Sequence, residues 1–191
     1  MKIAVHGLGR MGMQIARKLA ESGQHHVIAH NRSREPIDEA VTYGCSAAVT
    51  KADVLGQFGQ EPTVIWVMLP ADVAEEHILE WAEIAPAGSV IVSGGNSDYR
   101  TTRELGAKVA AAGKRMVDIG VSGGVWGYDN GFPLMCGADD TTAFDVLKPA
   151  LETLVQPGGA YHLFGPSGAG HYVKMVHNAI EYGMMLSLIH I

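Results

Sequence analysis

The first dozen residues constrain this chain most. Lys2–His6 alternates as a strand, Gly7-Leu8-Gly9-Arg10-Met11-Gly12 follows at once, and Arg10–Glu21 carries helical periodicity. Each glycine has a separate task in a strand–turn–helix unit. Gly7 permits the tight turn, Gly9 lets the backbone approach a pyrophosphate, and Gly12 lets helix and strand pack closely. The N-terminus of the helix then offers unpaired N–H groups and a partial positive charge to an anion. A Gly-x-Gly-x-x-Gly in this context is a dinucleotide-binding signature; without the flanking strand and helix it would be only a turn.

The rest of the chain repeats the alternation. Apolar runs at Ile3–Val5, Val27–His30, Thr63–Met68, Ser89–Val92, Arg115–Asp118, Phe132–Cys136 and Ala160–Leu163 read as strands. Helical stretches at Arg10–Glu21, Ala71–Ile84, Arg103–Ala111 and Thr141–Leu154 lie between them. Strands alternating with helices give a mostly parallel sheet covered on both faces. The expected fold class is therefore α/β, a doubly wound Rossmann-type sheet, followed by a long helix over Gly168–Met185.

Composition excludes several function classes. The chain is 47% hydrophobic and 18% charged, with a formal net charge of −6. It has no run of Lys and Arg, so no nucleic-acid partner is expected. No apolar run approaches the roughly 20 residues of a membrane span, and a strand that begins at Lys2 leaves no place for a secretory leader. Cys45 and Cys136 lack metal-ligand spacing, so no metal is expected; reduced thiols point to the cytoplasm.

The end of the second strand chooses between cofactors. A carboxylate there would accept hydrogen bonds from a ribose 2′-hydroxyl and repel a 2′-phosphate. This chain has His30-Asn31-Arg32-Ser33-Arg34, with no carboxylate before Glu35. Arg32 can stack on adenine or pair with phosphate, which favours NADP, with NAD the second choice. Met68-Leu69-Pro70, Ser93-Gly94-Gly95-Asn96-Ser97 and Val121-Ser122-Gly123-Gly124 each follow a strand. In a doubly wound sheet they converge on one edge, where ligands bind.

Near the other end, Lys174, Asn178 and Glu181 fall at i, i+4 and i+7. On a helix they form one row of an amine, an amide and a carboxylate, roughly 10 Å from end to end. Lys and Glu on one face are ordinarily a solvated stripe. Here the neighbours are Met175, Val176, Ala179, Ile180, Met184 and Met185, and the small residues Gly165-Pro-Ser-Gly-Ala-Gly170 precede them. The row therefore reads as an acid–base face directed at a small molecule.

Together these motifs resemble the decarboxylating 6-phosphogluconate dehydrogenases, within the wider β-hydroxyacid dehydrogenases. The resemblance spans residues 1 to about 185. It rests on Gly7-Leu-Gly-Arg-Met-Gly12, Asn31-Arg32, Gly94-Gly-Asn96-Ser97, Val121-Ser-Gly-Gly124 and Lys174-Met-Val-His177-Asn178 with Glu181-Tyr182-Gly183. It implies oxidation of 6-phospho-D-gluconate to ribulose 5-phosphate and CO2, with Lys174 as base and Glu181 as the acid that protonates C1 of the enol. Asn96, Ser122, Gly123, Gly124, His177 and Asn178 match substrate contacts, and Tyr182 matches a phosphate contact. Gly7, Leu8, Gly9, Arg10, Met11, Gly12, Asn31, Arg32, Ser33, Met68, Leu69, Pro70 and Asn96 fall at the cofactor.

Ser93 stands where the family often has Asp, and Gly7-Leu-Gly9 resembles the shorter bacterial members. Two other readings use the same scaffold: a 3-hydroxyisobutyrate-type dehydrogenase, which needs no enol-protonating acid, and an NADP(H)-binding module without catalysis.

The expected organisation is a dinucleotide-binding domain over 1–166 and the first helix of a C-terminal helical domain over 167–185. The last six residues, Leu186-Ser-Leu-Ile-His-Ile191, match the translation of a transposase adaptor used in DNA library preparation. The coding sequence is therefore expected to continue differently beyond codon 185, and the fragment alone to be inactive. The family's helical domain would supply dimer contacts and phosphate-binding cations, so the full-length protein is expected to be a homo-oligomer.

Overall fold

A computed structural model describes residues 1–59 and 62–189. In chain order the elements are β1 Lys2–His6, α1 Arg10–Glu21, β2 His26–His30, α2 Arg34–Thr42, β3 Ser46–Ala48, α3 Lys51–Phe58, β4 Val64–Val67 and α4 Ala71–Ile84. There follow β5 Val90–Ser93, α5 Tyr99–Ala111, β6 Arg115–Val121, a 3-10 turn Gly124–Trp126, α6 Gly127–Asn130, β7 Leu134–Gly137, α7 Thr141–Val155, β8 Tyr161–Gly165 and α8 Ala169–Leu188.

The strands form one sheet in the order β3-β2-β1-β4-β5-β6-β7-β8. All pairs are parallel except β6 with β7. This is the expected doubly wound, Rossmann-type α/β sheet. Strand order reverses between β1 and β4, so a crevice opens beyond their carboxyl ends. β7 runs the other way because the chain returns through the 3-10 turn and α6 instead of crossing a face of the sheet.

Two apolar clusters, one on each face, hold the sheet. Ile3 and Val5 point to a cluster with Ile15, Leu19, Leu147 and Leu151 of α1 and α7. Ala4, between them, points to the other, with Ile78 and Trp81 of α4 and Leu105 and Val109 of α5. Strand period two thus feeds both layers.

Residues 31–62, left without an element by sequence pattern, contain α2, β3 and α3. Pro36 reads as a breaker, but it lies in the first turn of α2, where its missing N–H costs nothing. α3 begins at a capping box in which Thr50 and Asp53 exchange hydrogen bonds. Both helices are short, at 9 and 8 residues, and β3 has three, too few for periodicity to register. α5 starts at Tyr99, ahead of the expected Arg103, because Asp98 accepts the Arg100 N–H and caps it.

α8 buries only its first turns, at Gly170, His171 and Lys174. Beyond them Ile180, Met184, Met185 and Leu188 are exposed. The helix passes through 185–186 without a break to Leu188. His190 and Ile191, part of the expected adaptor segment, lie outside the described residues. No described helix is long and apolar enough to cross a membrane.

Candidate functional site

The nucleotide crevice is built on the glycine loop. Gly7 has φ +98°, and a Cβ there would lie 2.6 Å from Met68 O. A Cβ on Gly12 would overlap Gly7 O. Gly9 differs: nothing lies within 4 Å of its missing side chain. Protein packing therefore explains Gly7 and Gly12, whereas open space at Gly9 suits a ligand that approaches the backbone. No side chain caps α1, which leaves the N–H groups at Arg10, Met11 and Gly12 available to phosphate. The loop is tied down by Gly7 N–H to His30 O at 2.9 Å and Leu8 N–H to Asn31 Oδ1 at 3.1 Å.

A cavity of about 490 Å3 opens beside it. Asn31, Arg32, Ser33, Leu69 and Pro70, all expected from sequence, line it together with His6, His30, Lys51, Asp72, Val73 and His77. Met68 N–H donates to His6 O at 2.7 Å and joins β4 to β1 across the switch point. The residues present fit a dinucleotide: a backbone cradle for pyrophosphate, and beyond it a cavity with a guanidinium and no carboxylate at the end of β2.

The second part of the site lies beyond β5 and β6. Asn96, Ser97, Asp98, His171, Lys174, Met175 and Asn178 line a cavity of about 310 Å3. Lys174 is 9% exposed and its Nζ donates to Ser122 Oγ at 3.0 Å. Burial holds its pKa below the usual lysine value, while Glu181 pulls it back up. Gly120 makes this placement possible, since a Cβ there would overlap Lys174 Cβ and lie 3.0 Å from its Cγ.

α8 is anchored by a residue that sequence pattern passed over. Asp118 is fully buried; its Oδ1 accepts Gly168 N–H at 2.7 Å and its Oδ2 accepts His171 N–H at 2.9 Å. A carboxylate from β6 thus caps α8, whose own N-cap residue is Gly168. Burial pushes the Asp118 carboxyl up; His171 and the two amides oppose that. The His171 ring lies between Ser93 O, 3.1 Å from Nε2, and Thr102 Oγ1, 2.9 Å from Nδ1. A carbonyl can only accept, so Nε2 carries a hydrogen; Thr102 Oγ1 also donates to Asp98 O at 2.9 Å, which ties the ring to the start of α5. The available signal was a lone carboxylate within the apolar strand Met116-Val-Asp-Ile119, which must find partners when buried.

The expected row is only partly gathered. Lys174 and Asn178 face the cavity with Asn96, and Ser122 reaches Lys174. Glu181, on the next turn, is 51% exposed and lies 3.6 Å from His177 Nδ1, itself 42% exposed. Tyr182 is exposed, as are Gly123 and Gly124.

Comparison with known proteins matches residues 2–163 to the NAD binding domain of 6-phosphogluconate dehydrogenase. The chain belongs to this family. It is a nicotinamide-dinucleotide-binding domain, as its loop geometry indicates. It is 37% identical over 187 residues to an NAD(+)-dependent, decarboxylating 6-phosphogluconate dehydrogenase of Haloferax volcanii, covering 97% of this chain and 60% of the relative. The chain therefore spans less than two thirds of that relative's length.

Among solved structures, Plasmodium falciparum 6-phosphogluconate dehydrogenase, described with NADP+ and with 6-phosphogluconate, superposes with a TM-score of 0.87 at 26% identity, covering 97% of this chain and 41% of that one. A 3-hydroxyisobutyrate dehydrogenase of Mycobacterium tuberculosis gives 0.83 at 23% identity, covering 94% and 59%, and shares the fold.

Proposed function

We propose that the full-length protein oxidatively decarboxylates 6-phospho-D-gluconate, with NADP as the preferred cofactor and NAD as the alternative. One observation carries the reading: a buried lysine, hydrogen-bonded to Ser122, in a cavity lined by Asn96 and Asn178 at the same sheet edge as the dinucleotide crevice. Relatives named as 6-phosphogluconate dehydrogenases support the substrate. The Haloferax relative is named for NAD(+) and the Plasmodium structure for NADP+; the carboxylate-free end of β2 tips this chain toward NADP.

A nicotinamide dinucleotide held by the Gly7–Gly12 loop and the Asn31, Arg32 and Ser33 lining would supply the hydride acceptor for C3 of the sugar acid. Lys174 takes the C3 hydroxyl proton onto Nζ in its uncharged form, which burial favours. Asn96, Ser122 and Asn178, with the backbone at Gly123 and Gly124, hold the substrate polar groups, and His177 and Tyr182 extend that face toward the phosphate. The 3-keto acid then loses CO2 as Lys174 returns its proton to the C3 oxygen, and Glu181 donates a proton to C1 of the resulting enol while Lys174 takes the enol hydroxyl proton back. On this reading residues 1–166 are the dinucleotide domain, 167–185 begin a second domain, and 186–191 are foreign to it.

A second reading draws on the position of Glu181. Its carboxylate is half exposed beside His177, and a 3-hydroxyisobutyrate-type oxidation needs no acid there. Single-turnover measurement of cofactor reduction and CO2 release separates the two. Lys174→Met should nearly stop cofactor reduction. Glu181→Gln should slow ribulose 5-phosphate formation by about 10²–10⁴-fold, the range of a positioned acid. An unchanged rate in Glu181→Gln would remove the acid assignment; cofactor reduction without CO2 release in the unmutated enzyme would leave hydroxy-acid oxidation as the activity.

A further inference from the structure

The 490 Å3 cavity carries more ionisable groups than a dinucleotide crevice requires. Imidazoles of His6, His30 and His77 meet at its floor, with His6 4.6 Å from His30 and 5.0 Å from His77, centroid to centroid. Their nitrogens are not equivalent. Trp81 Nε1–H donates to His6 Nδ1 at 3.0 Å, so that ring is neutral with its hydrogen on Nε2. Burial, then the neighbouring His30, His77 and Lys51, hold its pKa down to about 3. His30 Nδ1 lies 3.0 Å from Ala48 O. That carbonyl can only accept, so Nδ1 carries the hydrogen and Nε2 is the nitrogen left over.

The fixed charges nearly cancel. Lys51 Nζ is paired with Glu80 and lies 3.3 Å from His77 Nδ1, and His77 Nδ1 lies 3.0 Å from Glu80 Oε2. Asp72 offsets Arg32 on the lining, and Asp53, in the first turn of α3, adds a negative charge near enough to favour the His30 imidazolium. A phosphomonoester dianion entering this cavity meets about as much fixed negative as positive charge. Only an imidazole can change that balance. His30 is 7% exposed and lies at the end of β2, where other dinucleotide domains carry the ribose-reading carboxylate.

We propose that His30 distinguishes a 2′-phosphorylated dinucleotide from an unphosphorylated one by taking a solvent proton onto Nε2 as the phosphate enters. This rests on the adenosine end of the dinucleotide occupying the 490 Å3 cavity. In the free protein, burial, Lys51 and His77 disfavour the imidazolium, against the Ala48 carbonyl and Asp53. An adjacent dianion reverses the balance, because an opposite charge within ~4–6 Å favours the charged form. A proton bound only in the complex makes affinity fall as pH rises from the His30 pKa of the free protein to the higher pKa of the complex, and level off on either side.

The test is calorimetric titration of the full-length protein with NADP+ and with NAD+ at about pH 7.5, in two buffers of different ionisation enthalpy. At this pH the phosphate, with a second pKa near 6, is already mostly dianionic, so proton uptake reports the protein. NADP+ should take up on the order of half a proton more than NAD+, and its Kd should rise by up to about tenfold per pH unit as that point is approached from below and level off above it. His30→Gln should abolish the extra uptake and lower the NADP+ to NAD+ affinity ratio about tenfold. Arg32→Ala should weaken NADP+ but retain the uptake. Equal uptake for both dinucleotides in the unmutated protein would overturn the proposal, whether or not His30→Gln folds. NADP+ binding with uptake that survives in a folded His30→Gln would overturn the assignment to His30. Failure of both dinucleotides to bind would overturn the nucleotide reading as well.

Discussion

Gly120→Ala is the sharpest probe of how the site is assembled, because the residue lines neither cavity. Its hydrogen faces α8, where a methyl group would overlap Lys174 Cβ and lie 3.0 Å from both Lys174 Cγ and Gly170 O. A normal carbon separation is about 3.5–4.0 Å, so α8 must retreat from β6 by roughly 1 Å. Retreat is resisted from beneath, since Asp118 holds the Gly168 and His171 amides at 2.7 and 2.9 Å. Overpacking of this kind costs about 1–3 kcal/mol of stability. The same displacement draws Lys174 Nζ away from Ser122 Oγ, and a misplacement near 1 Å costs on the order of 10²-fold in turnover.

Dinucleotide affinity should hardly change, because the glycine loop lies on β1 and α1. The assay compares kcat for 6-phosphogluconate, Kd for NADP+ and the urea unfolding midpoint. Unchanged kcat in Gly120→Ala would show that close contact of β6 with α8 does not position the lysine.

Further outcomes follow from the same geometry. Arg32→Ala should lower kcat/KM for NADP by about 10–100-fold, one charge-assisted phosphate contact being worth about 1.5–3 kcal/mol; better catalysis with NAD in the unmutated enzyme would refute the NADP preference. The pH profile should rise to a plateau as Lys174 loses its proton, with an inflection below the ordinary lysine range because burial disfavours the ammonium. Glu181 stabilises that ammonium, so in Glu181→Gln the residual activity should inflect at lower pH; a shift to higher pH would show that the carboxylate does not sense the lysine.

The sheet was legible because its signals are local. A strand, three glycines and a helix within Lys2–Glu21 set the chirality and the first crossover, and the later apolar runs fell on strands. Residues 31–62 were not legible, since short helices draw their stability from packing on the sheet and not from their own period. At the site, Lys174, Asn178, Asn96 and Ser122 were legible as polar residues at loop ends or on an apolar helix. Asp118, His171 and Thr102 were not, because their significance is mutual: each is an ordinary polar residue until the fold places them against one another.

That mutual placement explains why the lysine lies on a helix outside the main crossovers. A base on a loop after β6 would share that loop's mobility. Here the helix is fixed at its first turn by two backbone donors on a buried carboxylate and by the His171 ring between β5 and α5. Lys174 follows one turn later, too close to the anchor to sway. Gly120 on β6 and Gly170 on α8 remove the side chains that would separate the two elements, a Cβ on Gly170 lying 2.7 Å from Asp118 O. The Lys174 amine is thus held by packing and by the buried hydrogen bonds that anchor its helix. Beyond it α8 runs on with Met184, Met185 and Leu188 exposed, and Glu181 lies on this less constrained stretch. The amine proposed as the base is set in place by the dinucleotide domain itself. Glu181, the proposed acid, has no comparable buried anchor among the described residues, only its contact with His177.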